Sequence, residues 1–400
     1  MSDPRLSRRV NEMEESATIK MTQMARDLAA KGHHVISLSI GEPDFDTPKH
    51  IKKAAMEALE RGDTKYTPVP GTMALRKAIV EKFKRDNGLS FNEGQIVVSN
   101  GAKQSIANVV LALIEEGDEV ILFAPYWVSY KEIVKLAGGI PVEVKADITQ
   151  DFIITAEQLK KALTDRTRLI IFSSPCNPTG SVYTYDNLKS LVAVLKDYPD
   201  VVILSDEIYE YINFTSKHDS IGCFEEIKDR TVTVNGFSKG FAMTGWRLGY
   251  MGAPKWIADA CSKIQGQFTS GAASFNQAAA AVALNSSLEP THEMRKAFQE
   301  RRDIFVRLLS EIAGFKVNQP TGAFYVFPDI SYYFGKSANG QTIGNADDLA
   351  IYLLEEAHVA VVSGSAFGAD ECVRLSYAAA ESELREAVSR IKKAAAKLHG

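Results

Sequence analysis

Lys239 and Arg247 stand eight residues apart in the run GFSKGFAMTGWRLG (236–249). Upstream, Ser205-Asp206-Glu207-Ile208-Tyr209 offers a carboxylate and a phenol, and Cys176-Asn177-Pro178-Thr179-Gly180 offers an amide. Pro125-Tyr126-Trp127 supplies an indole, and Ser99-Asn100-Gly101-Ala102-Lys103 sets small residues beside a second lysine. An amine can condense with a carbonyl carbon and can carry protons. A carboxylate can keep a ring nitrogen protonated. An amide and a phenol can donate to a deprotonated ring hydroxyl, and an indole can stack on a flat ring. Glycine opening a helix, with an arginine fork nearby, suits a phosphate.

Each of these groups follows a short apolar, β-branched run. The strands expected are QIVVS (95–99), EVILFA (119–124), RLIIFS (168–173), VVILS (201–205) and TVTVN (231–235). Between the first two, Ile106, Val109, Val110, Leu113 and Ile114 recur at helical spacing. Strand, helix, strand in repeated order implies an α/β fold whose mostly parallel sheet carries helices on both faces. Ligands of such sheets collect beyond the carboxyl ends of the strands, where these groups fall. Their joint explanation is a flat, phosphorylated, nitrogen-containing aromatic cofactor, and pyridoxal 5′-phosphate needs every piece. Lys239 would condense with its aldehyde and Asp206 would hold its ring nitrogen. Asn177 and Tyr209 would serve the ring hydroxyl, Trp127 would stack, and Gly101, Ala102, Lys103 and Arg247 would hold the phosphate.

The run around Lys239 resembles the lysine signature of the fold-type I aminotransferases. The Asn-Pro-Thr-Gly turn and the Asp-x-x-Tyr segment also match that family. So do Gly41-Glu42-Pro43-Asp44-Phe45, Tyr66-Thr67-Pro68-Val69-Pro70-Gly71 and Arg374-Leu375-Ser376, in family order across nearly the whole chain. The resemblance is nearest to the bacterial aspartate aminotransferases. It implies a large domain with a seven-stranded sheet and a smaller α+β domain, divided here as arm 1–45, large domain 46–290 and small domain 291–400. It implies that Ser238 joins the cofactor site, that Arg374 grips the substrate α-carboxylate, and that Gly41, Trp127 and Asn177 touch the substrate. Tyr66 would reach the phosphate of a neighbouring subunit, giving a homodimer with shared active sites. Lys103, Ser16 and Thr18 match the positions that bind a side-chain carboxylate in one bacterial subgroup. Gly236 departs from a position that often donates a hydroxyl to the phosphate. Glu14 stands where members that also transaminate prephenate tend to carry a basic residue.

The expected reaction moves the amino group of L-aspartate to 2-oxoglutarate by a ping-pong mechanism. Alternatives on the same scaffold are an aromatic, alanine or prephenate aminotransferase, a carbon–sulfur lyase, or a catalytically silent binding protein. Plainer readings stand beside several residues. Trp127 could be core packing, Asn177 part of a turn only, and Asp206 a helix cap. Arg374 could form a structural ion pair, Ser16 and Thr18 could cap a helix, and the Lys103 side chain could face solvent.

Composition narrows the rest. Lys and Arg number 46 against 50 Asp and Glu, a net charge of −4, which argues against a broad basic surface for nucleic acid. An apolar share of 45% with 24% charged residues is ordinary for a folded chain. The polar N-terminus and the interrupted alanine-rich stretch 271–288 point to a cytoplasmic protein without a membrane segment. Cys176, Cys223, Cys261 and Cys372 are scattered, and no His-Glu-x-x-His occurs, so neither a disulfide framework nor a metal is expected. The C-terminal third reads as a long charged helix, three apolar runs and a last basic helix, with KSANGQTIGNADD (336–348) as a surface loop.

Overall fold

A computed structural model describes residues 4–400. Its centre is a seven-stranded sheet formed by Ile96–Ser99, Glu119–Ala124, Ile140–Lys145, Thr167–Ser173, Val202–Asp206, Thr231–Gly236 and Gly249–Gly252. In spatial order the first strand is followed by the seventh, sixth, fifth, fourth, second and third. All pairings are parallel except those of Gly249–Gly252, which runs antiparallel to both neighbours.

The strands are continuous apolar runs because both faces are covered. Val120 and Leu122 enter one buried cluster with Ile106, Val109 and Val110 of the helix Ala102–Leu113. Ile121 and Phe123 enter another with Leu188 and Leu191 of the helix Tyr185–Leu195. This is the two-residue period of a strand read on both sides.

Two sheet strands were not anticipated. IPVEVK (140–145) is an edge strand that opens on exposed Ile140 followed by half-buried Pro141. GYMG (249–252) has glycine at both ends, so its β signal is weak. Its glycines are nevertheless needed, because a Cβ on Gly249 would lie 2.2 Å from the Ala102 nitrogen. The expected loop 336–348 is corrected. Ser337–Ala338 and Gln341–Thr342 pair as a hairpin across Asn339 and Gly340, both at positive φ, and a helix starts at Ala346. Asn-Gly is the commonest sequence of that turn, so its signal was present.

The C-terminal third forms a smaller layer. A three-stranded antiparallel sheet places Val373–Ser376 between Val362–Ser363 and Tyr325–Val326. Helices Glu289–Ser310, Ala346–Ala357 and Glu381–Ala395 cover it, with Phe298, Leu353 and Ile391 in one core. The N-terminal helix Ala17–Ala30 contributes Met21 and Ala25 to that core, and Ile36–Ser37 pairs in parallel with Val359–Ala360. Among the described residues no helix is long and apolar enough to cross a membrane.

Candidate active site

The carboxyl ends of the parallel strands open into a cavity of about 340 Å³ that the small layer closes from the other side. Asp206, at the end of Val202–Asp206, lies at its floor and is 4% exposed. Its Oδ2 accepts from the Tyr130 hydroxyl at 2.6 Å, and its Oδ1 accepts from the Ile208 N–H at 3.2 Å. Burial pushes the carboxyl up to about 6, although the Tyr130 hydrogen bond pulls the other way. Tyr130 was not singled out from the sequence. Three residues after Trp127, it reads as core, and its buried hydroxyl is what demands a partner.

Lys239 follows the strand Thr231–Gly236, and its Nζ donates to the Gly41 carbonyl. Burial lowers its pKa to about 8, with Arg374 and Arg247 pushing further down and Glu42 opposing. A lysine held there has an appreciable neutral fraction near neutral pH and can act as a nucleophile or a base.

Arg374, 2% exposed, reaches in from the central strand of the small sheet. Its Nη1 donates to Asn177 Oδ1 at 2.9 Å and its Nη2 to the Ser39 carbonyl at 2.6 Å, while Nε has no partner. The guanidinium lies 4.6 Å from the Tyr325 ring centroid, and the Tyr325 hydroxyl lies 2.7 Å from that of Tyr209. Tyr325 also went unnoticed in the sequence, hidden in the apolar run GAFYVFP. It explains Gly41, where a Cβ would sit 2.6 Å from the Tyr325 hydroxyl.

At the far end, Gly101 starts the helix Ala102–Leu113 at φ 85°, and a Cβ there would meet the Arg247 Nη2 at 2.5 Å. Arg247 is itself left-handed at φ 53°, and its Nη1 donates to the Thr244 carbonyl at 3.0 Å. Ala102, Ser238 and Arg247 line the cavity.

The Lys103 Nζ sits 4.9 Å from the Trp127 ring centroid, and burial together with Arg247 lowers its pKa. Ser16 and Thr18 line the same wall. Ser16 precedes the helix Ala17–Ala30 but makes no side-chain capping bond. An annex of about 320 Å³ behind Lys103 is lined by Glu14, Glu15 and Lys131, and the Glu14 N–H donates to Glu132 Oε2 at 3.0 Å. Tyr66 does not line the cavity and is 97% exposed.

Lys103, Lys239, Arg247 and Arg374 all face this space, yet none has a carboxylate within ion-pair distance among the described residues. Arg374 is buried and Lys239 half-buried, and withdrawing cations from water without an anion is costly, so the cavity is built to receive an anionic ligand.

Comparison with known proteins agrees. Residues 33–391 match the family model of aminotransferases of class I and II. The chain is 49% identical over 397 residues to a Petunia hybrida protein, covering 98% of this chain and 83% of that one. That relative is named a bifunctional aspartate aminotransferase and glutamate/aspartate-prephenate aminotransferase. A Nitrosomonas europaea aspartate/prephenate aminotransferase is 46% identical over 391 residues, covering 97% and 98% of the two chains. The solved aspartate aminotransferase of Rhizobium meliloti superposes with a TM-score of 0.95 at 43% identity, covering 98% of this chain and 99% of that one. That of Thermus thermophilus, solved with maleate, gives 0.92 at 40% identity over 97% and 99%. With its lysine, its buried carboxylate and its unpaired cations gathered in one cavity, the chain belongs to the class I and II aminotransferases.

Proposed function

We propose that this enzyme is an aspartate aminotransferase that uses pyridoxal 5′-phosphate and passes the amino group of L-aspartate to 2-oxoglutarate. The observation that carries the reading is the set of cations without carboxylate partners, Lys103, Lys239, Arg247 and Arg374, that line one cavity floored by Asp206. The residues fit the cofactor. Gly101 leaves the room beside Arg247 that a phosphate needs, and Asp206 is a buried carboxyl suited to a ring nitrogen.

When bound, pyridoxal phosphate supplies an aldehyde for amine exchange and a ring that accepts the electron pair released at the α-carbon. The protein does the rest. Lys239 Nζ takes the substrate α-proton and returns it, which its lowered pKa favours. Asp206 holds a proton against the ring nitrogen, and Tyr130 keeps the carboxyl oriented. Arg374 binds the α-carboxylate with the donors it does not spend on Asn177 and Ser39. Lys103, with Ser16 and Thr18, meets the side-chain carboxylate. That role agrees with maleate, itself a dicarboxylate, in the Thermus thermophilus enzyme.

Tyr66, exposed beside Thr67 and Pro68, serves the phosphate of a second copy, so the working unit is a homodimer. The free cysteines suit a reducing compartment such as the cytoplasm. Prephenate stands in four relatives' names. Here the acidic Glu14 lines the annex beside Lys103, which favours 2-oxoglutarate over prephenate as the amino acceptor.

A half-reaction screen tests the proposal. Cofactor absorbance followed as each amino acid is added should change fastest with aspartate and glutamate, and borohydride should fix the cofactor to Lys239. A faster response to alanine or phenylalanine, or a label on another lysine, would overturn it.

A further inference from the structure

The turn that follows the strand Val202–Asp206 faces two ways. Asp206, Ile208 and Tyr209 line the cavity, while Glu207 and Glu210 are buried away from it in a polar cluster. There Lys82 pairs with Glu210 and donates to Asn87 Oδ1 at 2.6 Å. The Asn87 amide nitrogen donates to Glu207 Oε2 at 3.0 Å and to Glu210 Oε2 at 2.7 Å. Glu207 Oε1 accepts from Ser205 at 2.9 Å and Ser220 at 2.6 Å, and its Oε2 lies 2.9 Å from His218 Nε2.

Glu207, Glu210 and His218 could by themselves ligate a metal. Lys82 bridges Glu210 and Asn87, so the cluster carries its own cation. The chain goes to some length to build it. After the helix Met73–Lys82 the backbone widens into a π-helical turn, Phe83–Asn87, closed by Gly88 at φ 69°. That irregular turn is what carries Asn87 onto both glutamates, and π-turns recur where function constrains a helix. The backbone is tied in as well, since the Glu207 N–H donates to the Val234 carbonyl on the strand leading to Lys239.

We propose that Lys82, Asn87, Glu207, Glu210 and His218 form a positioning network that aims Asp206 and Tyr209 at the cofactor from behind. The proposal rests on the reading of Asp206 and Tyr209 as cofactor-binding residues. Every member of this network is hydrogen-bonded or ion-paired to another, with only His218 Nδ1 left without a partner, and such a network fixes one geometry that an apolar filling of equal volume does not.

The test replaces the ion pair by apolar groups, Lys82→Met with Glu210→Leu, and separately makes Glu207→Gln. Thermal midpoint of the cofactor-free protein, dissociation constant for pyridoxal phosphate, and the pH dependence of the bound cofactor's visible absorbance are measured on each. The expected result is a near-native midpoint with affinity weakened about ten- to hundredfold, the range that outer-shell partners of a site commonly carry, and a displaced absorbance profile. A folded variant with native affinity and native absorbance overturns the proposal. If the double variant does not fold, Glu207→Gln decides alone. Asp206→Ala in the native background separates the premise. Should it leave affinity unchanged, the reading of Asp206 fails, whatever the network variants do.

Discussion

Arg374 and Asn177 are 197 positions apart, and a 2.9 Å hydrogen bond from the guanidinium to the side-chain carbonyl joins them. The bond crosses from the small layer to the turn after the strand Thr167–Ser173, so one contact ties the small layer to the carboxyl edge of the large sheet. It also corrects the plainer reading of Arg374 as a structural ion pair, because no carboxylate lies within reach among the described residues.

Arg374→Ala should therefore damage every amino donor alike. Losing a buried charge-assisted contact costs about 2–5 kcal/mol, so kcat/KM should fall by roughly thirty- to several-thousandfold for aspartate, alanine and phenylalanine. Single-turnover rates for the three donors check this. A loss confined to one donor would remove Arg374 from the α-carboxylate.

Lys103→Ala should discriminate. Its side chain faces the cavity wall with Ser16 and Thr18, while its backbone lies in the first turn of the helix Ala102–Leu113. Removing one charge-assisted bond of about 1.5–3 kcal/mol should cut the preference for dicarboxylates about ten- to hundredfold and leave cofactor affinity nearly unchanged. Equal losses for aspartate and phenylalanine would place dicarboxylate recognition elsewhere.

Burial of Lys239 predicts a pH-dependent gain from removing it. In the folded, cofactor-free protein its pKa falls from 10.5 to about 8, so the unfolded chain binds the extra proton between those values. Stability should rise with pH across that window, and the penalty is fully present below pH 8. Lys239→Met should stabilise the cofactor-free protein at pH 7 by up to about 3 kcal/mol, fading toward pH 10.5. Urea midpoints at the two ends of the window measure it, and equal midpoints for both proteins at pH 7 would contradict the geometry.

Tyr66→Phe should weaken pyridoxal phosphate binding about ten- to hundredfold if its hydroxyl serves a neighbour's phosphate. Mixing it with Lys239→Ala should restore one complete site per hybrid dimer, because the Lys239→Ala subunit donates an intact Tyr66. Cofactor titration of the mixture reads this out. Failure of complementation would return Tyr66, exposed as it is, to the surface of a single subunit.

What the sequence made legible follows from where the chemistry sits. Lys239, Asp206, Asn177 and Trp127 each end an apolar run, so strand position and residue type pointed the same way. Tyr130 and Tyr325 were invisible because an aromatic ring in an apolar segment reads as packing, and only its placed hydroxyl reveals another use. Asn87 was hidden for a different reason: a widened helical turn has no sequence period of its own. The strands Ile140–Lys145 and Gly249–Gly252 escaped because proline at an edge and paired glycines both lower the local β signal.

The pairing of Ile36–Ser37 with Val359–Ala360 sets the order in which the enzyme can be made. Chains leave the ribosome from the N-terminus, and domains fold as they emerge. Met21, Ala25, Ile36 and Leu38 share a core with Phe298, Leu353 and Ile391, so most of the partners of these early apolar residues are synthesised late in the chain. The strand ends that carry Asp206 and Lys239 are complete well before Arg374 is translated. A nascent chain therefore passes through a stage in which the strand ends of the large sheet exist and the wall that Arg374 builds does not, with much of the apolar face of its N-terminal helix still uncovered.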